Sequence, residues 1–245
     1  MIKEINHLCF DKDGVIIDVH AYWRHTTEIR AKFIRKKLLL TAEDEMKTIE
    51  AMGIDLITGR IKRKGPIGYH PRQQILKKLF MFLNDRSYKI SMSELENYFI
   101  IIDNNQQESG DFKLTLLDGV KEFLIKNKNN FKMSVFTSDR KKNAEYAFDK
   151  LGIASFFKVI LGGDSVINPK PHPQGINDAC NKIKIKENKT AYISDTSSDL
   201  IMAKNAGLIC KIGVLTGLGN KEDFNQIADL VFNDLKSLSE YLYAK

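Results

Sequence analysis

Two carboxylates two positions apart, Asp11 and Asp13, follow the apolar run Leu8 to Phe10 and are closed by Gly14. A short apolar run of this kind reads as the end of a buried strand, with both acids at its tip. Neighbouring carboxylates repel each other unless something cationic stands between them. A divalent metal is the usual remedy, because hard cations take oxygen ligands. One carboxylate can then act as nucleophile while the other moves protons, and the glycine lets the backbone turn tightly and approach a ligand. The same stretch, Asp11-Lys12-Asp13-Gly14, also makes a good surface turn, since Asp and Gly both favour turns. The rest of the chain must decide between the two readings.

Three later points carry chemistry of the same kind. Thr137 and Ser138 close an apolar run that begins at Met133. Asp195 follows another, 190–193, and Asp199 lies four residues on. Lys170 sits in Asn168-Pro169-Lys170-Pro171-His172-Pro173, where the prolines restrict its backbone. If these points converge, they assemble four carboxylates, a hydroxyl and an ammonium. That set suits phosphoryl transfer, with a metal and the lysine neutralising charge while a carboxylate attacks. Asp199 has a second reading as an acid in the first turn of a helix. His172 reads as structural, because it has no evident partner carboxylate.

The elements that must position these residues follow from hydrophobic spacing. From 112 onward, helical patterns (119–126, 143–151, 176–183, 200–206 and 235–242) alternate with strand patterns (133–136, 159–161, 190–193, 208–214 and 230–232). Such alternation predicts a doubly wound α/β core, a parallel sheet covered on both faces. Ligands then bind beyond the carboxyl ends of its strands. Residues 19–111 show no strand alternation and are expected to form a helical insert. Helices are predicted over 20–39, 42–52 with Thr41 as N-cap, 73–82 and 93–102, the last opened by a Ser93/Glu96 capping box. Between them runs a Gly- and Pro-punctuated loop, 59–72; from Arg60 to Lys78 there are seven basic residues and no acidic one. It is either a solvated charge run or a surface meeting an anionic substrate through Arg60, Arg63, Lys64 and Arg72.

At 245 residues, 43% hydrophobic and 28% charged, the chain can bury a sizeable core. It has no apolar stretch long enough to span a bilayer, and Asp11 and Asp13 interrupt the N-terminal apolar run, which speaks against a membrane span or a secretory signal. Three scattered cysteines, Cys9, Cys180 and Cys210, suggest core residues in a reducing compartment, hence the cytoplasm. The net charge of +7 is spread along the chain without a nucleic-acid motif. The expected partner is therefore a small phosphorylated molecule rather than nucleic acid; oligomeric state is not legible.

Taken together, the motifs resemble those of the haloacid dehalogenase superfamily of hydrolases, in particular its phosphoglycolate phosphatase and beta-phosphoglucomutase-like members. Asp11-Lys12-Asp13-Gly14-Val15 resembles the family's first motif, Thr137 after Val135-Phe136 the second, Lys170 in Lys-Pro-His-Pro the third, and Ser194-Asp195-Thr196-Ser197-Ser198-Asp199 the fourth. Ser194 stands where glycine is commoner, and Val15 where threonine is. The resemblance implies a Rossmann-like core at 1–18 and 112–245 with a helical C1-type cap at 19–111. It implies Asp11 as the nucleophile that carries an aspartyl-phosphate, and Asp13 as the acid and base. Thr137, Ser138 and Lys170 would bind the phosphoryl group. Asp11, Asp13 (through its carbonyl), Asp195 and Asp199 (directly, through water or by orienting Asp195) would serve Mg²⁺. The expected activity is a Mg²⁺-dependent phosphatase acting on a small phosphorylated metabolite. A phosphomutase using the same residues and a non-catalytic binding member are the alternatives. Dehalogenation and phosphonate cleavage are disfavoured, because relatives with those activities lack the second aspartate.

Overall fold

The computed structural model describes residues 2–70, 72–110 and 112–244. Pro71 of the basic loop and Asp111 at the expected end of the insert lie outside the described residues. The chain divides into two compact units, Met1–Asp18 with Leu114–Lys245, and Val19–Lys113.

Among the described residues the first unit contains six strands: β1 His7–Phe10, β2 Lys132–Phe136, β3 Val159–Leu161, β4 Thr190–Ser194, β5 Cys210–Val214 and β6 Leu230–Phe232. All pair in parallel, in the order β3-β2-β1-β4-β5-β6. Every residue of β1, β4 and β5 is buried, as expected of parallel strands covered on both faces. The chain winds outward from β1 through β2 to β3, then returns to lay β4 on the other side of β1. That reversal opens a crevice at the carboxyl ends of β1 and β4.

Alternate side chains of the strands feed two cores. Phe10, Val135 and Ile193 point to one, where Phe10 meets Phe123 and Phe157 edge-on at 6.1 Å each. Cys9, Phe136 and Tyr192 point to the other, with Ile176, Leu200 and Met202. Burying each such large apolar side chain contributes roughly 1.5–3 kcal/mol, so sliding any strand by one residue would turn both sets the wrong way. Register is thereby fixed, Phe10 lying between Val135 and Ile193.

The second unit holds α1 Val19–Leu38, α2 Ala42–Met52, α3 Arg72–Asp85 and α4 Met92–Ser109. Thr41 caps α2 as its sequence predicts, accepting from the Asp44 N–H, and Gly53 closes it at φ 110°. The capping box of α4 is Ser91 with Glu94, not Ser93 with Glu96. Ser91 and Ser93 both offer a hydroxyl followed by an acid, but only the earlier start places buried Ile90 and Leu95 on either side of the cap as a hydrophobic staple. The basic loop is folded rather than loose. Ile61 bridges to Ile54, the Lys62 N–H donates to the Gly53 carbonyl at 2.7 Å, and Ile67 is fully buried.

The remaining helices of the first unit are α5 Val120–Asn127, α6 Lys141–Lys150, α7 Gln174–Ile183, α8 Ser197–Asn205, the short α9 Lys221–Phe224, and α10 Leu235–Tyr243. The helix predicted from Leu200 begins three residues earlier, with Thr196 in extended backbone as its N-cap, so Asp199 falls within its first turn.

Candidate active site

The strand tips bring Asp11, Lys170, Asp195 and Asp199 together. The ladder continues one rung past β1, the Asp11 N–H donating to the Ile193 carbonyl at 2.9 Å. This holds Asp11 beside the end of β4. The Lys170 ammonium, 7% exposed, donates to Asp11 Oδ1 at 2.8 Å and to Asp199 Oδ2 at 2.5 Å. It also stands 5.4 Å and 5.5 Å from the ring centres of Phe136 and Tyr192. Burial alone would lower the Lys170 ammonium, but Asp11 and Asp199 outweigh it and hold it above the ordinary lysine range. Burial pushes the Asp11 carboxyl up to about 6 against the pull of Lys170, with Asp199 and Asp13 adding repulsion.

Asp195 follows β4 and is 2% exposed. Its carboxylate is enclosed by a segment that sequence reading passed over, Leu215-Thr216-Gly217-Leu218-Gly219. The Leu218 N–H donates to Asp195 Oδ2 and the Gly219 N–H to the Asp195 carbonyl, each at 2.8 Å. A Cβ at Gly217, or at Gly14 where φ is 79°, would fall on that carboxylate. The Thr216 hydroxyl donates to the Gly14 carbonyl at 2.5 Å, tying this segment to the first acidic turn. Two glycines directly after a buried strand were the available signal. Burial first, then the Asp11 charge, raise Asp195 well above the usual carboxylate range.

Asp199 receives more than the lysine. The Ser194 hydroxyl donates to Asp199 Oδ2 at 3.2 Å, and the Tyr192 hydroxyl lies 3.4 Å from the same oxygen and 3.2 Å from the Phe136 carbonyl. Asp13 is drawn elsewhere: Lys12, buried, donates to Asp13 Oδ1 at 3.0 Å and pairs with Asp139 at 3.1 Å. Lys12 and Asp139 were not among the expected site residues; a lysine between two acids reads from sequence as surface. Thr137 is buried, its N–H donating to the Leu161 carbonyl at 3.0 Å and its hydroxyl accepting from the Asp139 N–H at 3.1 Å, while the adjacent Ser138 is exposed.

Arg60, Arg63 and Lys64 are exposed residues of the second unit. Arg72 is not a loop residue. It opens α3 and donates to Asp103 Oδ2 of α4 at 2.6 Å.

Asp11, Asp195 and Asp199 form a nearly buried set of three carboxylates against one buried ammonium, and burial together with neighbouring carboxylate charge raises Asp11 and Asp195. That excess of negative charge fits a divalent cation. Among the described residues no group of three or more acidic, histidine or cysteine side chains is placed to hold a metal ion by itself. Asp13 pairs with Lys12, and Lys170 takes Asp199 and one oxygen of Asp11, which leaves the other oxygen of Asp11 and the carboxylate of Asp195 without a lysine partner among the described residues. A hexacoordinate ion such as Mg²⁺ needs no more than one or two carboxylates when waters and substrate phosphate complete its shell.

Comparison with known proteins identifies the family. The sequence model of the family described as haloacid dehalogenase-like hydrolase matches residues 8–212. "Probable phosphatase IndB" of Dickeya dadantii is 37% identical over 36% of this chain, a match spanning only 38% of that relative's length. Phosphoglycolate phosphatase of Vibrio parahaemolyticus is 23% identical over 97% of this chain and 96% of its own. The crystal structure of YfnB from Bacillus subtilis, bound to magnesium, superposes with a TM-score of 0.67 at 18% identity, covering 98% of this chain and 99% of that one, a likeness of fold.

Proposed function

This chain belongs to the haloacid dehalogenase-like hydrolases, and from that premise we propose that it is a Mg²⁺-dependent phosphatase of a small phosphorylated metabolite, working through an aspartyl-phosphate. The observation that carries the reading is Lys170 joined to both Asp11 and Asp199 at the tips of the parallel strands. The buried ammonium would donate to the oxygens of a phosphoryl group and keep Asp11 aimed at its phosphorus.

Asp11 attacks phosphorus, forming the P–O(Asp) bond as the ester P–O bond breaks. Asp13 gives its proton to the departing alkoxide. Water then attacks the aspartyl-phosphate, Asp13 takes the proton, and inorganic phosphate leaves while the Asp11 carboxylate is restored. Lys12 holds one oxygen of Asp13 throughout, which fixes the direction from which the proton moves. Thr137 and Ser138 are assigned to the phosphoryl oxygens at the end of β2. A magnesium ion would be held by the Asp11 and Asp195 carboxylates and the Asp13 carbonyl, with Asp199 behind them, and it supplies neutralisation of phosphoryl charge. YfnB, of the same fold, is magnesium-bound, and the V. parahaemolyticus relative is named for phosphoglycolate; both support the reading. Three free buried thiols support a cytoplasmic setting, and among the described residues no helix is long and apolar enough to cross a membrane.

The test is a panel of phosphorylated metabolites, phosphoglycolate and sugar phosphates included, followed for inorganic phosphate and for isomerised sugar phosphate. Phosphate release with no isomer supports the reading. Isomerisation with little free phosphate replaces it with a phosphomutase, and no turnover on any member replaces it with a binding role.

A further inference from the structure

In the helical unit, two guanidinium groups share one carboxylate. Arg30 of α1 donates through Nη2 to Asp103 Oδ1 at 2.9 Å, and Arg72 of α3 through Nη1 to Asp103 Oδ2 at 2.6 Å. The Arg30 side chain is 7% exposed. Among the described residues, buried Nε of Arg30 and buried Nε and Nη2 of Arg72 have no hydrogen-bond partner. Phe99 lies beneath both groups, its ring centre 4.3 Å from Arg30 Cζ and 5.4 Å from Arg72 Cζ, and Trp23 is 5.9 Å from Arg30 Cζ.

This arrangement is incomplete on two counts. Two buried or half-buried cations face one anion, so one positive charge is uncompensated; burial lowers Arg30 below its usual range against the pull of Asp103, and the neighbouring Arg72 charge adds to the lowering. Burying charge without a partner is costly. An aromatic ring under a guanidinium helps its charge but leaves the N–H donors, which lie in the plane of the group, unanswered. Three donor atoms on two planar forks match the acceptor pattern of an oxyanion, which arginine binds with parallel hydrogen bonds.

We propose that Arg30 and Arg72, spaced by Asp103 over Phe99, form an anion site within the helical unit that takes a carboxylate or phosphate group. The site is built from residues of the helical unit alone and does not depend on the phosphatase reading. The anion is a free small oxyanion.

The chain has eight arginines, so their Nε–H resonances can be followed individually in the ¹⁵N-labelled protein. Titration with inorganic phosphate is expected to shift the Arg30 and Arg72 signals saturably, in the wild type and equally in Lys170→Met, where the strand-tip lysine is gone. Arg72→Gln, changed at a side chain 37% exposed, is expected to fold, as read from its backbone amide spectrum, and to lose the Arg30 shift. If neither arginine signal moves up to saturation of the Lys170-dependent response, or if the Arg30 shift survives Arg72→Gln, the site does not exist.

Discussion

The Lys170 ammonium stands 2.8 Å from the Asp11 carboxylate although 159 residues separate them in the chain. Nothing local brings them together. The ion pair exists because β1 and β4 are neighbours in the sheet and the 168–173 loop precedes the helix that packs on β2 and β3. Lys170 thereby ties the proposed nucleophile to Asp199, which the Ser194 hydroxyl also holds.

Replacing Lys170 by Met is expected to abolish turnover and also to destabilise the fold by about 3 kcal/mol, because Asp11 and Asp199 would remain as buried carboxylates without their cation. Urea denaturation compares the two proteins. An unchanged midpoint would mean that the pair contributes nothing to stability.

Asp11→Asn is expected to eliminate phosphate release while leaving the midpoint of unfolding close to the wild type, since the change relieves repulsion with Asp195 as it loses the bond to Lys170. Retained turnover in this variant would remove Asp11 from its assigned role.

Gly217→Ala places a methyl group on the Asp195 carboxylate. It is expected to lower the apparent affinity for Mg²⁺ by roughly 10–100-fold, the size typical when a group orienting a metal ligand is displaced. Calorimetric titration of Mg²⁺ into the wild type and the variant measures this without any substrate. Equal affinities would show that the 215–219 segment does not position Asp195.

Chelation is expected to stop turnover and Mg²⁺ to restore it. In the absence of substrate, added Mg²⁺ should raise the melting temperature, since ligand binding to the folded state adds stability as RT ln(1 + [L]/Kd). The same rise should be missing in Asp195→Asn. Activity indifferent to chelator would contradict the cation assignment.

His7, fully buried at the start of β1, is bonded through Nδ1 to Thr190 at 3.1 Å and through Nε2 to Ser134 at 2.7 Å. Burial pushes its imidazole down to about 4 from 6.5. Between those values the unfolded chain binds the extra proton, so stability rises with pH. The loss begins as pH falls below 6.5 and is complete near 4. From pH 7.5 to 5 this residue alone should cost about 2 kcal/mol. Asp11, raised in the fold, acts in the opposite sense over part of the same range, so the measurement is the difference in pH slope between the wild type and His7→Gln. Equal slopes would show that His7 is not buried neutral.

The order of acid, hydroxyl, lysine and acid along the chain, and the strand-helix alternation that carries it, were legible without coordinates, because each is local: apolar runs end where polar ligands begin, and the periods of helix and strand differ. Thr41 was readable as the cap of α2 for the same reason. Ser91 was not preferred over Ser93, because both satisfy the local rule and only the burial of Ile90 and Leu95 separates them.

Tertiary structure alone decided what each charged group faces. Lys12, flanked by Asp11 and Asp13, turns to Asp13 and Asp139. Lys170 takes Asp11 and Asp199, and the glycines of 215–219 close on Asp195. Arg72, expected in an open basic loop, begins a helix and shares Asp103 with Arg30. A sequence states which charges exist and how far apart they lie along the chain. Coulomb interaction and desolvation depend on distance and burial in space, and these are set only when the sheet's strand order and the helix packing bring remote segments together.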